Sequence, residues 1–137
     1  MFSSPIVIEN KPLVQDIQDI KIECLEREGN LPTRNNNPLN ITYGGATKKW
    51  VDNGLAQINE TKDGRKFLKF CNPEDGWEAG KQLLKEVYSD LHPEMAMRKF
   101  SNDGYGAKSD KKISEMDENE FEQFVKDIAV REGYFAS

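Results

Sequence analysis

Residues 24–41 read CLEREGNLPTRNNNPLNI, and the reading of this stretch decides the fold. Its first half continues a helical pattern. At about 100° per residue, Leu13, Ile17, Ile20 and Cys24 fall on one face. Glu28 closes that stripe, while Glu26 lies about opposite, on the solvent side. The spacing predicts a helix over residues 13–28, opened by Pro12 and ended by Gly29. A carboxylate at the end of an apolar stripe loses water and faces the negative pole of the helix. Both favour the protonated form that a general acid uses. The plain alternative is a Glu28 frayed into water beside Gly29. The second half is a polar loop. The amides of Asn35, Asn36, Asn37 and Asn40 suit the hydroxyl and N-acetyl groups of sugars. They equally suit a turn that satisfies its own backbone.

Taken together, Glu28-Gly29 followed by Arg34-Asn35-Asn36-Asn37-Pro38-Leu39-Asn40 resembles the start of the lysozyme-like, peptidoglycan-degrading domains of bacteriophages, which are muramidases and lytic transglycosylases. The resemblance implies an α+β, mostly helical lysozyme-like fold, with a substrate cleft between a small β-hairpin lobe and the helices. It implies that Glu28 is the catalytic acid and that an Asn-Pro-x-Asn loop follows it. Two further stretches are similar to the family: Phe70 through Trp77 into Leu83, Leu84 and Tyr88, and Phe124-Val125 through Gly133. The likeness therefore runs from about residue 16 to the end. There are two departures. Leu39 stands where the family usually has glycine, and residues 99–105 stand where it often has a Trp-Ala-Pro segment.

The 137 residues suffice for one domain with a real core, read as an arm over residues 1–12 and a single domain over 13–137. No apolar run is long enough to span a bilayer, and residues 1–13 lack the basic start and apolar core of a secretory signal. A membrane is therefore not an expected partner. A wall-directed protein of this kind would be made in the cytoplasm and carried out by phage lysis, by a virion or by an injection apparatus. A virion or delivery-system protein is thus a possible partner. The net charge of −5 argues against nucleic acid. The charge is uneven: residues 34–71 hold seven Lys or Arg against three Asp or Glu, and residues 114–137 hold two against seven. The basic half is the half with the asparagine loop.

Cys24 and Cys71 have no metal spacing, no metal or cofactor is expected, and two buried thiols are the default reading, with a disulfide possible. His92, just before Pro93, reads as a capping or surface residue. Residues 40–43 read as a short strand ended by Gly44-Gly45, and residues 48–53 as a helical turn with Trp50. Residues 55–60 and 66–70 flank Asp63-Gly64 and predict a hairpin. Asn72-Pro73-Glu74-Asp75 is a helix start, followed by Trp77, Gly80, Leu84, Val87, Tyr88 and Leu91 on one face. Gly80 there points to a close helix crossing. Pro93 opens another helix to Phe100, and residues 101–110 form a loop that displays Tyr105 between two glycines. The ring suits stacking on a sugar, or packing on the nearest helix. Asp117 to Glu120 carries capping-box logic for a last helix, with Phe121, Phe124, Val125 and Ile128 inside and Gly133 at its end.

The expected reaction is cleavage of the β-1,4 bond between N-acetylmuramic acid and N-acetylglucosamine, with peptidoglycan glycan strands as the partner. Glu28 is the acid. Asn35, Asn37, Asn40, Tyr43 and Tyr105 are the candidate substrate contacts. The second carboxylate has no motif; Asp52, Glu60, Asp75 and Asp103 are candidates. The resemblance supplies another route, in which the substrate's own acetamido group assists. That favours 1,6-anhydromuramic products over reducing ends. The rival expectation is a non-catalytic glycan-binding or virion structural protein on the same scaffold.

Overall fold

The computed structural model describes residues 24–100 and 110–136. Strand β1 (Ala56–Glu60) pairs antiparallel with β2 (Lys66–Phe70) in the register Ala56 opposite Phe70 through Glu60 opposite Lys66. The Asp63-Gly64 turn works as its sequence implies, with Gly64 at φ +87°. β2 is the better buried strand. Leu68 and Phe70 enter the core, and Phe67 is buried with the Arg65 guanidinium 4.8 Å from its ring centre.

An antiparallel strand turns its N–H and C=O groups alternately to either side, so β2 has an outer edge to satisfy. The asparagine loop does this. The Lys66 carbonyl accepts from Tyr43 N (2.9 Å), Leu68 N donates to the Ile41 carbonyl (3.2 Å) and Phe70 N donates to the Asn35 carbonyl (2.8 Å). Side chains complete the edge: Asn37 Nδ2 donates to the Leu68 carbonyl (2.9 Å) and Asn36 Nδ2 to the Phe70 carbonyl (3.0 Å). The loop lies along the strand without being one. Asn36 and Asn40 take left-handed backbone, at φ +51° and +53°, which asparagine tolerates better than most residues. This curvature, with the turn at 44–47, reduces the expected strand at 40–43 to a single bridge between Thr42 and Phe67.

The helical layer is built from local signals. α1 (Leu31–Arg34) is a single turn capped by Asn30, and α2 (Lys48–Asp52) carries the buried Trp50. α3 (Pro73–Val87) starts as expected, its Asn72 side chain accepting from Asp75 N. α4 (Pro93–Phe100) follows, and a 3-10 turn (Ile113–Glu115) leads to α5 (Glu118–Glu132). α5 has the reciprocal capping box between Asp117 and Glu120 and ends on Gly133 at φ +90°. A 3-10 turn (Tyr134–Ala136) finishes the described chain. Leu39, Ile41, Leu68, Leu84, Phe124 and Ile128 belong to one continuous core.

The structure corrects four further expectations. First, residues 24–28 are not helical; the rest of the helix expected over 13–28, and the arm at 1–12, lie outside the described residues. Tertiary bonds take this backbone instead: Leu25 N donates to the Cys71 carbonyl (2.8 Å), and Asn36 Nδ2 donates to the Leu25 carbonyl (2.9 Å). Second, Cys24 and Cys71 form a disulfide, so they are not two separate thiols. Third, Gly80 faces a loop and not a second helix: a Cβ there would meet Leu39 Cδ2 at 2.9 Å. Gly76, one turn earlier, is tighter still, since its Cβ would lie 2.0 Å from the Asn36 carbonyl oxygen. The face of α3 thus receives residues 36–39. Leu39 is fully buried there, and the left-handed positions fall on its neighbours, so the loop needs no glycine at 39. Fourth, Val87 is 48% exposed, because α3 ends as it leaves the core.

Candidate functional site

A cleft of about 220 Å³ lies between the loop after Asn40 and the helices. Ile41 and Leu83 give it an apolar floor, Tyr88 and Lys99 stand on the helical side, and Gly44 to Thr47 form the opposite rim. The rim is held by Thr47, whose Oγ1 donates to the Thr42 carbonyl (2.7 Å) and accepts from Gly44 N (2.9 Å). Gly44 and Gly45 have open space where side chains would stand, so the rim leaves the mouth clear. Burial raises the pKa of the Tyr88 phenol, which keeps it a neutral hydrogen-bonding group.

Asn40 sits at one end of this cleft, half-buried, and its Nδ2 donates to Glu132 Oε1 at 3.3 Å. Glu132 is the last residue of α5, and the turn after it anchors the whole stretch before Asn40. Asn30 Nδ2 donates to the Gly133 carbonyl (2.6 Å), and Thr33 Oγ1 donates to the Tyr134 carbonyl (3.1 Å). Arg27 Nη1 donates to the Tyr134 hydroxyl (2.9 Å), with its guanidinium 5.4 Å from the ring centre. Residues 27 to 40 are therefore pinned at both ends to residues 132–134.

Glu28 lies inside this pinned segment. It is exposed, and it is not among the residues lining the 220 Å³ cleft. The setting expected for it, an apolar stripe closing at a helix C-terminus, is not the observed one, because the backbone of residues 24–28 bonds across to β2. Asn35 and Asn37 were expected to face a sugar. Instead they are 1% and 0% exposed. Asn37 gives both its amide donors to the Ile41 and Leu68 carbonyls and accepts from Ile41 N (3.0 Å). Asn35 Oδ1 accepts from Asn59 Nδ2 at 2.8 Å. Tyr43 is half-buried and packs against the core beside the rim. Tyr105 lies outside the described residues. Of the expected contacts among the described residues, then, Asn40 is the one that lines the cleft.

The candidate second carboxylates are dispersed. Asp52 pairs with Lys48 in a solvent-exposed ion pair at 2.6 Å, Glu60 is exposed at the end of the hairpin, and Asp75 belongs to the first turn of α3. Asp103 lies outside the described residues. The carboxylate that meets the asparagine loop is Glu132, which the sequence reading left unassigned. The Arg-Glu-Gly triplet at 131–133 repeats residues 27–29 but is too short to mark Glu132 as a partner of Asn40. Among the described residues, no three His, Cys, Asp or Glu side chains are grouped to hold a metal, and no helix is long and apolar enough to cross a membrane.

No known protein family, curated protein or solved structure matches this chain.

Proposed function

We propose that the chain is a lysozyme-like domain that cleaves peptidoglycan glycan strands at the β-1,4 bond after N-acetylmuramic acid, with Glu28 as general acid. On this reading it is a phage-type muramidase or lytic transglycosylase, delivered to the wall from the cytoplasm by lysis, virion or injection apparatus. Three things support the reading: the Glu-Gly and Asn-Asn-Pro-x-Asn motifs, the order of hairpin and helices, and the cleft between the loop after Asn40 and the helices. The observation that carries it is the common anchorage of the Glu28 segment and Asn40 on residues 132–134. The residues on either side of Glu28, and the cleft amide of Asn40, are thus bonded to one short stretch of chain. The acid then protonates the leaving oxygen as an oxocarbenium-like state develops. Among the described residues no Asp or Glu lines the cleft, so attack by the substrate's acetamido group fits better than attack by an activated water, and 1,6-anhydromuramic ends are the expected product.

A second reading, a glycan-binding protein without catalysis, is favoured by the exposure of Glu28 and its absence from the cleft lining. Paired variants decide between them. Glu28→Gln should abolish lysis of purified cell wall while leaving wall binding and melting temperature intact, and Glu26→Gln should be silent. Parent-like lysis by Glu28→Gln would remove Glu28 from the chemistry, and no lysis by the parent would leave the binding reading standing. Mass spectrometry of the products separates anhydro from reducing ends.

A further inference from the structure

We propose that a groove between α3 and α5 is the seat of the chain's own N-terminal segment, with the stripe Leu13, Ile17 and Ile20 laid over Trp77 as a helix. The groove shares no lining residue with the cleft beside Asn40, and the inference does not depend on the glycan-directed reading.

The groove measures about 720 Å³ and runs along the first half of α3. α3 and α5 are antiparallel there. Trp77 meets Tyr134, just past the end of α5, with ring centres 5.7 Å apart. One turn further along α3, Lys81 pairs with Glu122, near the start of α5, at 3.0 Å. The half-buried Trp77 gives the groove an apolar floor, and Phe135, 54% exposed, has its ring 6.2 Å from that of Trp77. Apolar surface of this kind gains from being covered.

Three observations name the occupant. The first is where the segment joins. Residue 23 leads into Cys24, whose disulfide to Cys71 places it beside Asn72, the N-cap of α3. Glu74, at the near end of the groove, is three residues past Cys71. The second is length. Leu13 to Ile20 is a step of seven residues, about 10 Å in a helix, and so is the α3 wall from Glu74 to Lys81. The four residues from Ile20 to Cys24 complete the link. The third is charge. On a helical wheel Asp16 and Lys21 border the stripe on opposite sides. A helix that runs back along α3 from Cys24 brings Lys21 to the end with Glu74 and Glu78. It brings Asp16 toward Lys126, which stands on the α5 wall one turn past Glu122, back toward Trp77. Glu74 and Lys126 are exposed and have no ion-pair partner among the described residues. An amphipathic helix laid in a groove is a common mode of docking, with the apolar stripe as anchor.

The test is zero-length carbodiimide cross-linking of the full chain, read by mass spectrometry on an equal mixture of isotope-labelled and unlabelled protein. The expected bonds join Asp16 to Lys126, and Lys21 to Glu74 or Glu78, each within one copy. Ile17→Asp should abolish them, raise the quenching of tryptophan fluorescence by acrylamide, and lower the melting temperature by on the order of 5 °C. Trp50 is 5% exposed, so the added quenching reports Trp77. Gln15→Asp, on the opposite face from the stripe, should match the parent in all three readouts. Bonds between labelled and unlabelled copies would assign the groove to a second copy of the chain. No such bonds in the parent would leave it to another partner. An Ile17→Asp variant that matches the parent would show that the stripe lies elsewhere. Each of these overturns the proposal. If Ile17→Asp does not fold, the parent and Gln15→Asp carry the test: both bonds within one copy support the docking, and their absence refutes it.

Discussion

Replacing Asn37 with alanine separates two roles for the asparagine loop. Asn37 is fully buried and serves three backbone groups: the Ile41 N–H and the Ile41 and Leu68 carbonyls. The Ile41 carbonyl keeps a second donor, Leu68 N, after truncation. The Ile41 N–H and the Leu68 carbonyl lose the partner that Asn37 supplied. A buried group without a partner costs about 1–3 kcal/mol, so the two together cost roughly 2–6 kcal/mol. That is a large share of a domain total of about 5–15 kcal/mol. For a chain of this size the middle of the range lowers the melting temperature by on the order of 15 °C. Urea denaturation followed by circular dichroism gives the free energy, and the slope shows whether the denatured state has changed. Asn37→Asp should be as damaging at neutral pH, because it points a carboxylate at two carbonyl oxygens. A loss below about 1 kcal/mol, accompanied by a loss of wall binding, would refute the scaffold role and return Asn37 to the substrate.

The disulfide spans 47 residues, and in the chain-entropy account such a loop stabilises by about 4 kcal/mol. Reductant or Cys71→Ser should lower the melting temperature, and an unchanged melting curve in reductant would show that the bridge is dispensable. Gly76→Ala should cost about 3 kcal/mol, because its Cβ meets a fixed carbonyl at 2.0 Å, whereas Gly80→Ala meets the end of the Leu39 side chain and should cost less. Urea midpoints in the opposite order would contradict the docking described for α3. Reversing Lys62, Arg65, Lys66 and Lys69 should weaken wall binding at low salt and change little at high salt, as expected for long-range steering. Equal binding at low salt would make these residues a solvated face.

The parts of the fold that were legible in the sequence are those written in neighbouring residues. The Asp63-Gly64 turn, the Asn72-Pro73 start and the Asp117–Glu120 box each carry their structural instruction within about four positions, and each element stands where it was expected. The illegible parts are set by bonds between distant residues. Residues 24–28 share the helical period of the segment before them, but the Cys71 carbonyl, the Asn36 amide and the disulfide claim that backbone from far along the chain. Four asparagines in a loop give no hint of direction; the free edge of β2, which runs some thirty residues later, turns Asn36 and Asn37 inward. The same limit explains Glu132. Its triplet was visible, but its nearness to Asn40, 92 residues away, was not. Of the amides expected to face a ligand, Asn35 and Asn37 are buried in the scaffold and Asn40 lines the cleft.

The seat of the asparagine loop on α3 bears on how such a domain can vary. Gly76 and Gly80 form a mould, and residues 36–39 are its cast. The two segments are far apart along the chain yet must match atom for atom. Any recombination whose crossover falls between residues 41 and 72 parts the mould from its cast, and a chimera built that way should fail even if both parents fold. In the hairpin between them, β2 is bound to the same loop along its edge, so the freedom to vary lies in the exposed turn at residues 61–65. Change at residues 36–39 is thus tied to change at Gly76 and Gly80, and the two segments are inherited as a pair.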